Sequence, residues 1–254
     1  MGTKKKLLSV ITVVKNDAIN IEKTIKSIIS QKNQDVEYLL IDGKSSDGTL
    51  QRAKKFRNKI DKIISNKDKG IYDAMNIGIK NSSGKYIGFC NSGDVLKKNS
   101  LKTITRFLKK DIDVLFTTVK RNYTGEYIIK SGYNLNRLKY NFDFATSHST
   151  GFYIKKKFHN KIGLYDLSFK CSADYDFYLR LFKNKNILIK STPKNRIIGE
   201  VQSGGFSSTL SPLQHLNEET RIRAKNNQNI ILIFIIYLNT FIKIFLKKLN
   251  NILK

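Results

Sequence analysis

The stretch Gly84-Lys85-Tyr86-Ile87-Gly88-Phe89-Cys90-Asn91-Ser92-Gly93-Asp94 decides the reading of the fold. Its apolar centre, Tyr86 to Phe89, has the length and composition of a buried strand, and Asn91-Ser92-Gly93 breaks that strand with turn-forming residues. Asp94 is thereby delivered at a strand's carboxyl end. In open α/β sheets ligands bind in the crevice outside that edge, so a carboxylate there is a candidate site group. The same acid could instead cap a helix starting near Lys97, and this stretch alone favours neither role.

Outward toward the amino terminus, Leu7 to Val14 is a nearly continuous β-branched run, as in a parallel strand buried on both faces. It ends at Lys15-Asn16-Asp17. Ile21, Ile25, Ile28 and Ile29 recur at i, i+4, i+7 and i+8, the spacing of an amphipathic helix. A second strand is expected at Val36 to Ile41, stopping at Asp42-Gly43. Ser45-Ser46-Asp47-Gly48-Thr49 opens a helix of roughly ten residues with Ser or Asp as its cap. A weaker strand, Ile60 to Ser65, precedes Asn66-Lys67-Asp68-Lys69-Gly70, and a helix carrying Ile71, Met75, Gly78 and Ile79 on one face leads back to the opening stretch. Strand and helix thus alternate four times, which argues βαβ units, a parallel sheet and a nucleotide-type crevice.

Beyond Asp94 the pattern predicts a helix near Leu101 to Leu108, one strand at Val114 to Val119 and a hairpin strand at Tyr127 to Lys130; Arg137 to Phe144 is ambiguous. Phe152 to Ile154 is a short strand. Ala173 to Leu181 begins a helix with acids in its first turn, where the helix dipole favours them. Ile187 to Ile189 is the last strand, and Gly204-Gly205 marks a loop that bends sharply or approaches a ligand closely.

Forty-seven Lys and Arg against twenty Asp and Glu give a net charge of +27. Such a chain favours polyanions: nucleic acid, anionic lipid or phosphorylated substrates. The lysines are spread through every segment, however, a pattern that compositional bias also produces. Two cysteines, Cys90 and Cys171, are too few and too far apart for a disulfide framework or a zinc site, which fits a reducing compartment. The amino terminus carries no secretory-signal pattern and reads as mature and cytosolic. No internal repeat and no composition shift occurs before about residue 226.

Taken together, Ser9 to Asn16, Ile41-Asp42-Gly43-Lys44-Ser45-Ser46-Asp47-Gly48-Thr49, Asp68-Lys69-Gly70-Ile71-Tyr72-Asp73-Ala74-Met75-Asn76 and Asn91-Ser92-Gly93-Asp94 resemble the family-two inverting glycosyltransferases of the GT-A fold. Each piece alone is weak, and their order and spacing carry the resemblance over roughly residues 7 to 205. It implies an α/β fold: a Rossmann-like, mostly parallel central sheet flanked by helices. The expected organisation is a GT-A domain over 1–226 and an amphipathic carboxyl-terminal helical tail over 227–254. The similarity is to the bacterial branch that assembles capsule, exopolysaccharide or O-antigen.

The resemblance further implies that Thr12, Val14 and Asn16, with Asp42, hold the uridine of a UDP-sugar donor. A carboxylate suits that place because it accepts the uracil imide N–H or a ribose hydroxyl more strongly than a neutral group does; as a plain turn residue Asp42 would need no ligand. Asp68 and Lys69 belong to a loop over the donor, with Lys69 toward the diphosphate. Asp73 and Asn76 either share in this or tie their helix to that loop. Asn91 and Asp94 stand where the family carries an Asp-x-Asp-like metal motif. Only the last acid is present here, so Asp94 is the expected protein ligand of Mg2+ or Mn2+, which would offset charge on the departing diphosphate.

Inversion needs a base to take the acceptor hydroxyl's proton. The family places it in a Glu-Asp or similar motif opening a late helix. Ala173-Asp174-Tyr175-Asp176 matches with alanine in the Glu position, which makes Asp174 the candidate base and Asp176 the runner-up and a further acceptor-side candidate. His148 lies where acceptor contacts are expected, although a lone histidine is more often structural. The acceptor is expected to be a glycan or polyprenyl-linked glycan.

From Ile230 to Leu246 the tail is apolar apart from Asn239, Thr240 and Lys243. A spanning helix needs about 20 apolar residues, and this run is shorter and interrupted. Asn239, Lys243 and Lys247 form one polar stripe, as in a helix lying on an anionic membrane surface, which is favoured over a short span or a core or dimer helix. A cytoplasmic protein peripheral to the inner face of the cell membrane is expected. Two other classes compete: an inactive GT-A scaffold partnering another glycosyltransferase, given Gly93 and Ala173, and a nucleic-acid-binding protein. No zinc finger, ribonucleoprotein motif or basic heptad helix supports the latter, so no nucleic-acid partner is expected.

Overall fold

A computed structural model describes residues 5–123, 125–141, 144–146, 149–202 and 210–252. The chain opens with β1 (Leu8–Val14), α1 (Ile21–Ile29), β2 (Val36–Asp42), α2 (Thr49–Lys54), β3 (Lys62–Ser65), α3 (Ile71–Asn81) and β4 (Tyr86–Phe89). These follow the four expected strand–helix repeats. β1 and β2 are buried along their whole length, as runs covered on both faces must be. The helix α2 has six residues rather than ten. Gly48 is its cap residue, and Asp47 supplies the capping oxygen from one position earlier, accepting from Thr49 N–H at 3.0 Å.

Then come β5 (Val95–Leu96), α4 (Ser100–Leu108), β6 (Val114–Phe116), β7 (Thr118–Tyr123), β8 (Glu126–Lys130), β9 (Phe152–Lys155), α5 (Lys156–Ile162), α6 (Ala173–Leu181), β10 (Ile189–Ser191), β11 (Ile197–Val201), α7 (Pro212–Lys225) and α8 (Ile230–Ile252). Seven strands form the central sheet in the order β10-β6-β9-β4-β1-β2-β3. Only β9 runs against its neighbours β4 and β6, so the sheet is mostly parallel, as expected. Alternation along β1 separates two cores. Ile11 and Val13 face Met75 of α3 and Phe177 of α6, while Leu8 and Val10 face Ile25 of α1 and Ile104 of α4.

Three elements depart from expectation. The single strand over Val114 to Val119 is two, β6 and β7, and Thr117 is where the chain leaves the central sheet for a second one, β5-β11-β7-β8. Thr117 N–H bonds to the Gly151 carbonyl and Thr118 N–H to the Thr192 hydroxyl, each at 2.8 Å, so the backbone stays paired through the exchange. The last strand of the central sheet lies at Ile189–Ser191 rather than at Ile187 to Ile189. The tail helix continues to Ile252, past Lys247-Lys248. Over Ile230–Asn250 it is long and apolar enough to cross a membrane, which corrects the shorter reading.

β1 pairs with β2 on one side and with β4 on the other. Chain order reverses at β1, which makes the carboxyl ends of β1 and β4 the topological switch point of the sheet. Val14, Asp42 and Ser65 stand side by side along this edge.

Candidate active site

The edge is built from loops that bind one another. Asn16 has left-handed backbone (φ 51°), which turns its side chain toward the second loop, where Oδ1 accepts from Ser46 N–H at 2.9 Å. Its own N–H donates to the Ser45 hydroxyl at 2.8 Å. Asp42 is fully buried and accepts from the Ser65 hydroxyl at 2.6 Å and from Ser45 N–H at 3.2 Å. Thr12 and Val14 lie beneath the edge. The Thr12 hydroxyl donates to the Cys90 carbonyl at 2.7 Å and accepts from Tyr38 at 3.1 Å, so its side chain ties β1 to its neighbours instead of reaching outward.

Asp68 is placed over this edge by close approach. A β-carbon on Gly43 would collide with Asp68 Oδ2, so glycine at 43 lets the third loop settle on the end of β2. Asp68 Oδ1 accepts from Gly70 N–H at 3.1 Å. Lys69 is exposed, and its N–H donates to Asp73 at 2.9 Å, which makes Asp73 the tie between α3 and this loop. Asn76 serves elsewhere: it bonds both backbone groups of Tyr165, at 2.9 and 3.0 Å.

In the loop after β4, Asn91 donates to the Ser149 hydroxyl at 2.9 Å, while its buried Oδ1 has no hydrogen-bond partner among the described residues. Ser92 donates to Asp17 Oδ2 at 2.6 Å. Gly93 takes φ +92°, a turn that L side chains resist. Asp94 is 4% exposed. Its Oδ2 accepts from the Thr150 hydroxyl at 2.5 Å and its Oδ1 from Gln202 N–H at 3.4 Å, which ties the loop to the second sheet.

The two late acids separate sharply. Asp174, half-buried at the start of α6, accepts at Oδ1 from the Tyr72 hydroxyl and from Tyr175 N–H, both at 3.0 Å. No other residue among those described donates to its Oδ2. Burial pushes this carboxyl up to about 7, against the lowering effect of hydrogen bonds from Tyr72, from Tyr175 N–H and from its own N–H; the nearby Glu218 charge adds to the rise. Asp176 faces inward. It is fully buried, paired with Arg180 at 2.8 Å and bonded by Asn226 at 2.9 Å. That is a structural tie between α6 and the end of α7, and no acceptor contact can be built on it here. His148 and Gly204-Gly205 lie outside the described residues.

Three site-supporting residues were not singled out from sequence. Asp17 braces the first loop against Ser92. Tyr72 reaches Asp174 from the first turn of α3. Glu218 of α7 accepts the N–H groups of Lys170, Cys171 and Ser172, the last two at 2.9 Å, and so fixes the chain that leads into α6. Only Tyr72 carried a local signal, since it falls inside the quoted motif; the others meet the site through contacts distant in sequence.

The family model for glycosyl transferase family 2 matches residues 9–173, from β1 to the first residue of α6. A Mycobacterium bovis protein called PGL/p-HBAD biosynthesis glycosyltransferase is 28% identical over 210 residues, covering 80% of each chain. Among solved structures, S. aureus TarS 1-349 in complex with UDP-GlcNAc superposes with a TM-score of 0.70 at 20% identity, covering 92% of this chain and 71% of that one. The mannosyltransferase PcManGT of Pyrobaculum calidifontis, in complex with GDP-Man and Mn2+, gives 0.64 at 14% identity, with coverage of 88% and 64%. These likenesses show the GT-A fold.

Proposed function

The chain belongs to glycosyl transferase family 2, and on that premise we propose that it moves a sugar from a UDP-sugar to a hydroxyl of a glycan or lipid-linked glycan, with inversion, in the assembly of bacterial surface polysaccharide. A nucleotide-sugar donor is supported by the UDP-GlcNAc held by the structural neighbour TarS. A biosynthetic sugar-transfer role is supported by the mycobacterial relative, which is called a PGL/p-HBAD biosynthesis glycosyltransferase.

The observation that carries the proposal is the state of Asp174. Its Oδ1 is occupied by two donors, no other described residue donates to its Oδ2, and the carboxyl lies near 7. A base whose pKa lies near working pH is both partly ionised and strong enough to take a proton. In the proposed reaction the acceptor hydroxyl gives its proton to Asp174 Oδ2 while its oxygen bonds to the anomeric carbon. The bond from that carbon to the diphosphate breaks on the opposite face, which inverts the centre. Tyr72 and Tyr175 N–H hold the carboxylate in one orientation through this transfer. Asp42, Asn16 and Asp68 form the wall for the nucleoside, and Lys69 supplies a mobile cation to the diphosphate.

A divalent cation fits the loop after β4. The Asn91 Oδ1, without a hydrogen-bond partner among the described residues, and the Asp94 carboxylate are the hard oxygen donors such an ion takes, and Mg2+ needs few protein ligands when phosphates and water complete its shell. When bound it would neutralise charge on the leaving diphosphate. Asp94 and Asn91 would hold it. The tail helix α8 packs its buried Ile233 toward the domain and leaves Ile230, Ile231, Phe234, Ile235, Phe241 and Phe245 exposed. We assign this surface, with the Asn239, Lys243 and Lys247 stripe, to docking on an anionic membrane from the cytoplasmic side.

The test is release of nucleoside diphosphate from a panel of nucleotide sugars, with Mg2+ or Mn2+ present and a polyprenyl-linked glycan as acceptor. UDP release that depends on the acceptor and ceases in EDTA is expected. No release from any donor would overturn the proposal, and full activity in EDTA would remove its metal component.

A further inference from the structure

A second basic site lies away from the donor crevice. Lys102, Thr103 and Arg106 recur at i, i+1 and i+4 on one side of α4, just past its left-handed cap residue Asn99. With Arg196, which precedes β11, they line an open cleft of about 260 Å³. β11 separates this cleft from Asp94. At about 3.3 Å per strand residue, Arg196 and Gln202 stand roughly 20 Å apart, and it is Gln202 that bonds Asp94.

The cleft is organised around a fixed guanidinium. The Thr103 hydroxyl, 4% exposed, spends its single proton on the Asn99 carbonyl at 3.1 Å. Its lone pairs then accept Arg196 Nε at 3.2 Å and Nη2 at 2.9 Å. Arg196 is thereby oriented but not neutralised. No carboxylate among the described residues pairs with Lys102, Arg106 or Arg196. Lys102 and Arg106 are also like charges at i, i+4, an arrangement that destabilises a helix unless something offsets it. Lysine excess alone does not account for the cluster, because two of the chain's nine arginines meet in it. Arginine is the side chain whose planar fork matches phosphate oxygens, and the positive end of α4 adds to the field.

We propose that this cleft binds a phosphate-class anion at a site separate from the donor crevice. The anion is either the headgroup phosphate of a lipid or a soluble phosphate, free or carried on a glycan. The inference stands on charge and geometry and is independent of the sugar-transfer reading.

The full-length chain is titrated with inorganic phosphate, followed by phosphorus NMR, and is sedimented with phosphatidylcholine vesicles with and without phosphatidic acid. Arg106→Gln and Lys102→Gln remove exposed charges, and Arg196→Lys keeps the charge but loses the fork; Lys80→Gln, exposed on α3, is the charge-matched control. Each cleft variant is expected to lose one phosphate-binding event by tenfold or more, while Lys80→Gln keeps it. Loss of the phosphatidic-acid-dependent part of vesicle binding as well identifies a lipid headgroup; loss of inorganic phosphate alone identifies a soluble ligand. Wild-type binding of both probes by the cleft variants, or an equal loss in Lys80→Gln, overturns the proposal. Should Arg196→Lys fail to fold, Arg106→Gln and Lys102→Gln still decide it.

Discussion

The Tyr72 hydroxyl lies 3.0 Å from Asp174 Oδ1 and 2.8 Å from the Cys171 carbonyl. A phenol has one proton and cannot donate to both. With Asp174 ionised, the proton serves the carboxylate; with Asp174 protonated, the acid can donate to the phenol oxygen and free Tyr72 for Cys171. Tyr72 therefore favours ionised Asp174, opposing the burial that raises its pKa. Only ionised Asp174 accepts a proton, so wild-type kcat/KM should fall as pH drops through about 7. In Tyr72→Phe this limb should move to higher pH, with neutral activity falling more than the alkaline plateau. A pH–rate profile identical to wild type would exclude Tyr72 from positioning the base.

Linkage gives the same acid a signature in stability. A carboxyl raised on folding contributes stability below the usual carboxylate range and loses it as pH rises through its folded value. Asp174→Asn, which does not titrate, should therefore gain on wild type in Tm as pH rises from 3.8 to about 7, and the gain should level off above that. A pH-independent Tm difference would mean that the carboxyl is not raised.

Glu218 carries the backbone that leads into α6. Glu218→Ala removes the acceptor of three backbone N–H groups, of which those of Cys171 and Ser172 are buried and would cost about 1–3 kcal/mol each when unpaired. We expect a loss of several kcal/mol in denaturant unfolding and, under conditions where the variant stays folded, a fall in kcat larger than the change in donor KM. Wild-type stability would show that this chain is held by other contacts.

Gly43 and Asp68 are coupled by contact. Gly43→Ala forces the end of the Asp68 side chain to swing aside, and should cost about 1 kcal/mol, the low end of the overpacking range. In an Asp68→Ala background, where the colliding oxygen is gone, the same change should cost little. Additive effects in this double-mutant cycle would show that the third loop does not rest on Gly43.

Deleting the chain from Asn229 onward removes α8. The truncated protein should no longer sediment with anionic vesicles and should keep slow hydrolysis of the donor. Continued sedimentation would assign membrane contact to scattered surface lysines, and aggregation would make α8 part of the core through Ile233.

The sequence showed the donor half of the fold plainly because β1 and β2 are covered on both faces and α1 keeps a strict apolar stripe, so local pattern and burial coincide. It hid the second sheet. Val114 to Val119 is one uninterrupted run, and nothing local marks Thr117 as the point of exchange. β11 contains Gly199 and Glu200, and α7 has no continuous apolar stripe, so neither declared itself. The site divided in the same way. Asp174 could be named from its motif, but the burial of Asp176 depends on Arg180 and on Asn226, fifty positions later. Asp17 and Glu218 act only across the folded chain.

The central claim is that Asp174 is the base. Asp174→Asn is nearly isosteric and removes basicity, and loss of a general base costs about 10²–10⁴-fold in rate. The decisive measurement is the rate of sugar transfer in Asp174→Asn beside Asp176→Asn, with UDP-sugar binding measured in both. Asp174→Asn should fold, bind the donor and lose transfer by at least two orders of magnitude. Asp176→Asn should lose stability through its ion pair with Arg180 and retain most of its transfer rate. Near-wild-type transfer by Asp174→Asn would contradict the account.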